Sequence, residues 1–316
     1  MNHFVYVPGL VGVETELDRF HWSFGCCPRS SEREAFENCK IRVHLTVVPD
    51  KHITIPAEDP AAAQFRRFTA RPDAMELFFA QRFLRCIDCR FSLEVKGDDI
   101  YAKVGRNYYK KIRYKVMNIH PIWYVLFDLA SVLLLRKGYL PVYASAVIKY
   151  GEAALIMGPP GIGKTFTALS LSMKHGFGIL SEDIAVTDGE RIWPVPWTQT
   201  YRSYGKDYET HAKTVEKIFD PARVEKIFLL GRGAKREAPA PEPFEKIRLL
   251  NRYGVGYSHA PALIALNYFN PGFSLARAET AETGILRKLS EQKRTFFVSS
   301  DDPKDYCDAV CGIFLN

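Results

Sequence analysis

The chain has 316 residues, 47% hydrophobic and 25% charged, with a formal net charge of +7. This is ordinary globular composition with material for a large core, and at ~150 residues per domain the length suits about two domains. The charge is modest and spread along the chain, so it favours anionic ligands such as nucleotide phosphates without demanding a nucleic acid. Seven cysteines, an odd number, argue against a disulfide framework and for reduced thiols. Cys86-x-x-Cys89, with Cys26, Cys27 and Cys39, could supply four thiolates to zinc, but no second C-x-x-C pair accompanies it, and structural cysteines are the preferred reading. Met1–Leu10 lacks a basic region followed by an apolar stretch, and a cytoplasmic protein is expected.

The first hundred or so residues read as a small sheet with a helix. Lys40–Val47 alternates polar and apolar residues as a half-buried strand does. Asp73 is placed to cap a helix over Ala74–Arg85, with Met75, Phe78, Phe79 and Phe83 on its apolar side. Phe91–Lys96 and Ile100–Val104 are strands joined by a hairpin at Gly97-Asp98-Asp99. From Gly105 to Lys115, basic and aromatic residues interleave; an amphipathic strand is preferred to a nucleic-acid groove, because no other nucleic-acid motif is present. Pro121–Leu135 holds Asp128 and is shorter than the ~20 apolar residues of a membrane span, so it is expected to be a buried helix.

Tyr143–Lys149 and Glu152–Met157 are strand-like runs separated by Tyr150-Gly151, a hairpin that feeds directly into Gly158-Pro159-Pro160-Gly161-Ile162-Gly163-Lys164-Thr165. This octapeptide fits G-x-x-x-x-G-K-[ST], and the residues after it, from Phe166, are helix formers. In a strand–loop–helix context its glycines let backbone N–H groups face an anion, Lys164 can reach the outer phosphates, and the Thr165 hydroxyl can ligate a metal held on them. The strand expected at Phe177–Leu180 runs at once into Ser181-Glu182-Asp183. Adjacent carboxylates at the end of such a strand face the crevice where phosphates lie; one can hold Mg²⁺ and the other can take a proton from an incoming hydroxyl. Further on, Ala238–Pro243 reads as a stiff extended connector, Phe244–Arg252 and Thr280–Lys293 as helices, Thr295–Ser299 as a strand and Pro303–Phe314 as a closing helix.

Four pieces, Tyr143-Ala-Ser-Ala-Val, the loop at 158–165, Ser181-Glu-Asp183 and Asp188–Pro196, resemble in that order the C-terminal domain of the HPr kinase/phosphorylase family. That family is itself distantly similar to phosphoenolpyruvate carboxykinase, and its relatives include kinases that tailor lasso peptides. The resemblance covers roughly residues 120–316. It implies an α/β fold in which a smaller α+β domain, 1–116, precedes a phosphate-loop kinase domain, 117–316. It also implies transfer of the γ-phosphoryl group of ATP to a serine hydroxyl on a peptide or protein. Carried over by position, residues 158–166 would bind ATP, Lys164 would stabilise the outer phosphates, Thr165 and Glu182 would hold Mg²⁺, and Asp183 would act as base. An additional cation is expected near the γ-phosphate, with Arg202 and Arg232 as candidates.

Three departures from the pattern stand out. Tyr143 replaces the usual strand-leading His, Glu182 replaces the first residue of an aspartate pair, and Phe166 stands where an acidic residue is common. These leave the kinase core and argue against the reverse, phosphorylase reaction. A phosphate-loop ATPase, a nucleotide-binding switch and a small-molecule kinase remain the alternatives, and the role of residues 1–116, with acceptor binding one option, stays open together with the oligomeric state.

Overall fold

Alternation in Ile41–Val48 buries Ile41, Val43 and Leu45 on one side, and the strand they define lies inside a sheet of eight among the described residues. The computed structural model describes the chain except at positions 23, 27–31, 57–62, 66, 72–73, 84–86, 114–120, 196–206, 208–209, 212–213, 216–217, 241, 271 and 293. Its strands are β1 (Asn2–Val7), β2 (Val11–Thr15), β3 (Ile41–Val48), β4 (Ala63–Phe65), β5 (Phe68–Arg71), β6 (Glu76–Phe83), β7 (Ile87–Lys96) and β8 (Asp99–Gly105). They lie in the order β1-β2-β3-β8-β7-β6-β5-β4. Only the β2/β3 and β3/β8 pairs are parallel. The short helix α1 (Arg33–Glu37) follows β2, and the β7–β8 hairpin turns at Gly97 as expected.

Two expectations fail in this region. The segment expected to be helical after residue 73 is strand β6, because Leu77 and Phe79 are buried and Phe79 stacks on Phe91 of the neighbouring strand with ring centroids 4.8 Å apart. Such cross-strand aromatic pairing outweighs local periodicity. Asp73, its expected cap, lies outside the described residues, as do Cys27 and Cys86, so a thiolate cluster with Cys89 has no structural description. The basic and aromatic strip is not a strand: Arg106–Arg113 forms helix α2. Tyr108 and Ile112, one turn apart, are its buried side, and Tyr108 meets the edges of Phe79 and Phe91. Arg106 and Lys110 are exposed on the other side.

The apolar stretch beyond residue 121 is helix α3 (Ile122–Arg136), most of it buried; no helix of the described residues is long and apolar enough to cross a membrane. By contact the chain falls into two units: Met1–Ser23 with Cys27–Arg136 and Gly256–Glu279, and Phe24–Cys26 with Lys137–Val255 and Thr280–Asn316. Helix α3 therefore belongs with the first sheet, and a boundary near residue 116 would fall inside the first unit.

In the second unit the strands are β9 (Leu140–Val142), β10 (Ala144–Lys149), β11 (Glu152–Met157), β12 (Gly178–Ser181), β13 (Ala185–Thr187), β14 (Arg191–Trp193), β15 (Ala222–Gly231), β16 (Arg236–Pro239) and β17 (Arg294–Ser299). Their order is β9-β13-β14-β15-β11-β10-β12, with β17 also on β15 and β16 on β17. Part of the expected connector after Ala238 is thus strand β16. Helix α4 (Lys164–His175) follows the glycine loop and ends at Gly176, whose φ of 66° closes it in the left-handed conformation. Later helices are α5 (Pro243–Asn251), α6 (Pro261–Phe269), α7 (Leu275–Gln292) and α8 (Pro303–Leu315); α6 is not among the elements expected from the sequence, and both α6 and the first residues of α7 belong to the first unit. The core between α4, α8 and the sheet includes Val147, Ile156, Leu171, Phe228, Val310 and Phe314.

Candidate functional site

Strand β10 sets the geometry. It runs antiparallel to both β11 and β12, with Ala144 opposite Met157 and Ala146 opposite Ser181. Its first residues therefore meet the last residues of both neighbours, and Tyr143, the loop after Met157 and the Glu182-Asp183 pair come out at one edge of the sheet. Parallel pairing of β15 with β11, Leu229 opposite Met157, brings Arg232 out at the same edge, exposed to solvent.

The loop is shaped for close approach. Gly161 and Gly163 take φ of 75° and 111°, conformations that other residues adopt at a cost, and Gly163 leads directly into α4. Pro160 and Gly161 are exposed, whereas Gly158, Ile162, Lys164 and Thr165 are buried and Pro159, Gly163 and Phe166 lie between these extremes. The N–H groups of the first turn of α4, with the partial positive charge of the helix, favour an anion there.

Lys164 is 4% exposed. Its Nζ donates to the carbonyls of Gly158 (3.1 Å) and Pro159 (3.4 Å) and lies 3.8 Å from the centre of the Tyr143 ring. Burial lowers its pKa to about 8, against the attraction of Asp183. Burial among neighbouring atoms raises the pKa of Asp183, an effect that Lys164 opposes. Asp183 nonetheless keeps a solvent-exposed side, so the shift is a matter of partial crowding. Lysine and aspartate thus face one another across the end of the sheet.

Thr165 Oγ1 donates to the backbone carbonyl of Glu182 at 3.2 Å, and Ser145 Oγ donates to the same carbonyl. With its proton committed backwards, the Thr165 hydroxyl presents lone pairs outward, and the residue whose backbone it bonds, Glu182, carries a carboxylate that is 4% exposed. A hydroxyl and carboxylates are the oxygen donors that suit Mg²⁺. Gly158 is packed so closely that a Cβ would strike Ile162 and the carbonyl of Leu230, whereas the space beside Gly161 is open, with no atom within 4 Å of where a Cβ would stand. The residues present fit a magnesium–nucleotide. Arg202 lies outside the described residues.

Sequence reasoning marks Tyr143 as a replacement and misses what it touches. Its N–H donates to Asn251 Oδ1 at 2.9 Å, Asn251 Nδ2 donates to Glu282 at 3.1 Å, and the Tyr143 ring fills the space beside Gly254, where a Cβ would come within 2.4 Å of it. These partners lie more than a hundred positions along the chain, beyond the reach of any local pattern.

No protein-family model matches the chain, and no curated protein matches it. Among solved structures it is similar to the HPr(Ser) kinase/phosphatase from Coxiella burnetii, at 14% identity, over 32% of this chain and 77% of that one, with a TM-score of 0.19. That likeness is too slight to bear on function.

Proposed function

We propose that the second unit is an ATP-dependent phosphotransferase that moves the γ-phosphoryl group to a hydroxyl, with serine on a peptide or protein as the acceptor. The observation that carries this reading is the convergence of Lys164, Thr165, Glu182 and Asp183 at one sheet edge beside a glycine loop that opens a helix. In phosphoryl transfer the protein supplies mainly position and charge. The loop amides and Lys164 hold the phosphates, and Lys164 leaves the loop carbonyls to follow the charge of the migrating group. Asp183, solvent-accessible and facing the lysine, receives the proton of the acceptor hydroxyl. Thr165 and Glu182 would hold Mg²⁺, which when bound neutralises phosphate charge. Tyr143 backs Lys164 with the face of its ring and keeps its ammonium aimed along the loop.

The acceptor is assigned to the first unit, whose sheet carries a cleft of about 260 Å³ lined by Arg71, Glu76, Phe78, Glu94, Tyr101 and Lys103 among others. Mixed charges beside aromatic rings suit a peptide better than a compact metabolite. Incubation with γ-labelled ATP and a serine-containing peptide library is expected to give a labelled phosphoester. Label released only as inorganic phosphate, with every peptide unmodified, would make the protein an ATPase and overturn the transferase reading.

A further inference from the structure

Where the end of α4 meets α8, three side chains of different chemistry bring ligand atoms together. His175, Cys307 and Asp308 each offer one, and these atoms all lie within 4.8 Å of one another. The Nε2 of His175 is buried and has no hydrogen-bond partner among the described residues; the nearest acidic atom, Asp308 Oδ1, is 3.8 Å away, beyond hydrogen-bond range. A simple ion pair therefore leaves that nitrogen unsatisfied. We propose that His175, Cys307 and Asp308 form a zinc site with a fourth, solvent-held position.

The donor set selects the metal. Imidazole, thiolate and carboxylate together match zinc and exclude calcium and magnesium, which take oxygen ligands. Zinc bonds of about 2.0–2.3 Å put tetrahedral ligand atoms roughly 3.5 Å apart, so the three groups need side-chain rotation rather than backbone movement to close on an ion. The supporting structure is rigid. Lys149 Nζ donates to the carbonyl of His175, Gly176 fixes the helix end, and Phe177 packs edge-on against Phe314 of α8 with centroids 5.0 Å apart. Cys307 is fully buried while the Asp308 side chain is 70% exposed, so the ion enters from the aspartate side. On binding, the Cys307 thiol gives its proton to solvent and the sulfur bonds the metal; no electron changes hands.

Three protein ligands rather than four leave the fourth position to water. The consequence of the site is mechanical. The ion ties α8 to the last residue of α4, and about one turn before Cys307 the first residue of α8, Pro303, lies against Gly163, where an added Cβ would approach it to 3.2 Å. Zinc thus braces the helix that borders the glycine loop, and this holds whether or not the loop binds a nucleotide.

The full-length protein, freed of metal, is titrated with Co²⁺ as a spectroscopic stand-in for zinc. The wild type is expected to take up one equivalent with a thiolate-to-cobalt charge-transfer band and the intense visible bands of tetrahedral cobalt, both abolished by excess Zn²⁺. Cys307→Ser is expected to lose the charge-transfer band, and Asp308→Asn, at an exposed position that folding tolerates, to weaken cobalt binding at least tenfold. Cys39→Ser and Cys89→Ser are expected to leave the spectrum unchanged. Absence of the band in folded wild-type protein overturns the proposal, as does a band that persists in Cys307→Ser or an affinity unaltered in Asp308→Asn.

Discussion

In the first unit, polar side chains pair across the face of neighbouring strands. Arg42 donates to both carboxylate oxygens of Asp99 at 2.7 and 2.8 Å, and the ring nitrogens of His44 meet Asp99 at 3.1 Å and Glu14 at 3.0 Å. Arg42 holds the Asp99 carboxyl below the usual range, so the network is stable as long as the pH stays above the carboxylate range. In the second unit, the polar groups gather beyond the strand ends. The lysine there is buried against an aromatic ring and loop carbonyls, and its pKa falls to about 8 instead of being raised by a close carboxylate. Both units combine a sheet with helices. The contrast is one of placement: charges on the strand faces complete one another, whereas the charges beyond the strand ends are kept from close pairing by burial.

The largest break in this contrast is expected from Lys164→Ala. Phosphoryl transfer should fall by about two to three orders of magnitude or more, because the cation that tracks the moving charge is gone, while circular dichroism and the unfolding transition stay near wild type. Wild-type turnover in the folded variant would place Lys164 among residues that serve only the fold. Next comes Asp183→Asn. An amide cannot accept the acceptor proton, so transfer should drop by about two to four orders of magnitude while nucleotide binding, held by the loop backbone, persists. A fully active Asp183→Asn protein would remove the base assignment.

The pH profile sharpens the comparison further. Lys164 is charged below about pH 8 in the free protein, and burial raises the Asp183 pKa from its ordinary value, so kcat/KM for ATP should be bell-shaped with its alkaline limb near pH 8. An alkaline limb that follows an unperturbed lysine, near pH ~10.4, would show that burial does not tune this side chain.

The smallest effect is expected in the first unit. Burial in α3 raises the Asp128 pKa to about 7. Because the folded value exceeds the unfolded one of ~3.9, the folded protein binds the extra proton, and stability falls as pH rises from about 4 to about 7. Asp128→Asn should then raise Tm by a few degrees at pH 8 and leave it unchanged at pH 4, with ATP turnover unaffected. Equal melting of the two proteins at pH 8 would mean that Asp128 finds compensation in the folded state.

Legibility from sequence tracks the range of the cause. The hairpin over residues 144–157, the glycine loop, α4 with its Gly176 cap and the carboxylates after β12 are encoded within a few residues of where they act, and each is readable. Helix α3 is readable from its continuous apolar run. Strand β6 is misread because Phe78, Phe79 and Phe83 also fit a helical stripe; only pairing with β5 and β7 decides between the two. The same distance problem hides the contact of Lys164 with Tyr143, the grip of Asn251 on Tyr143, and the packing of α6 against β5 within the first unit. A fragment beginning near residue 116 would strip α3 and α6 of their sheet, so the units are best probed in the whole chain.

The most direct test of nucleotide binding at the glycine loop is hydrogen exchange of the full-length protein with and without Mg²⁺ and ATP. ATP is expected to slow exchange at the amides of residues 158–166 and at the turn carrying Glu182 and Asp183, Lys164→Ala to weaken this protection, and the first unit's sheet to be unaffected. Saturating Mg²⁺ and ATP that leave residues 158–166 exchanging at the ligand-free rate would contradict it.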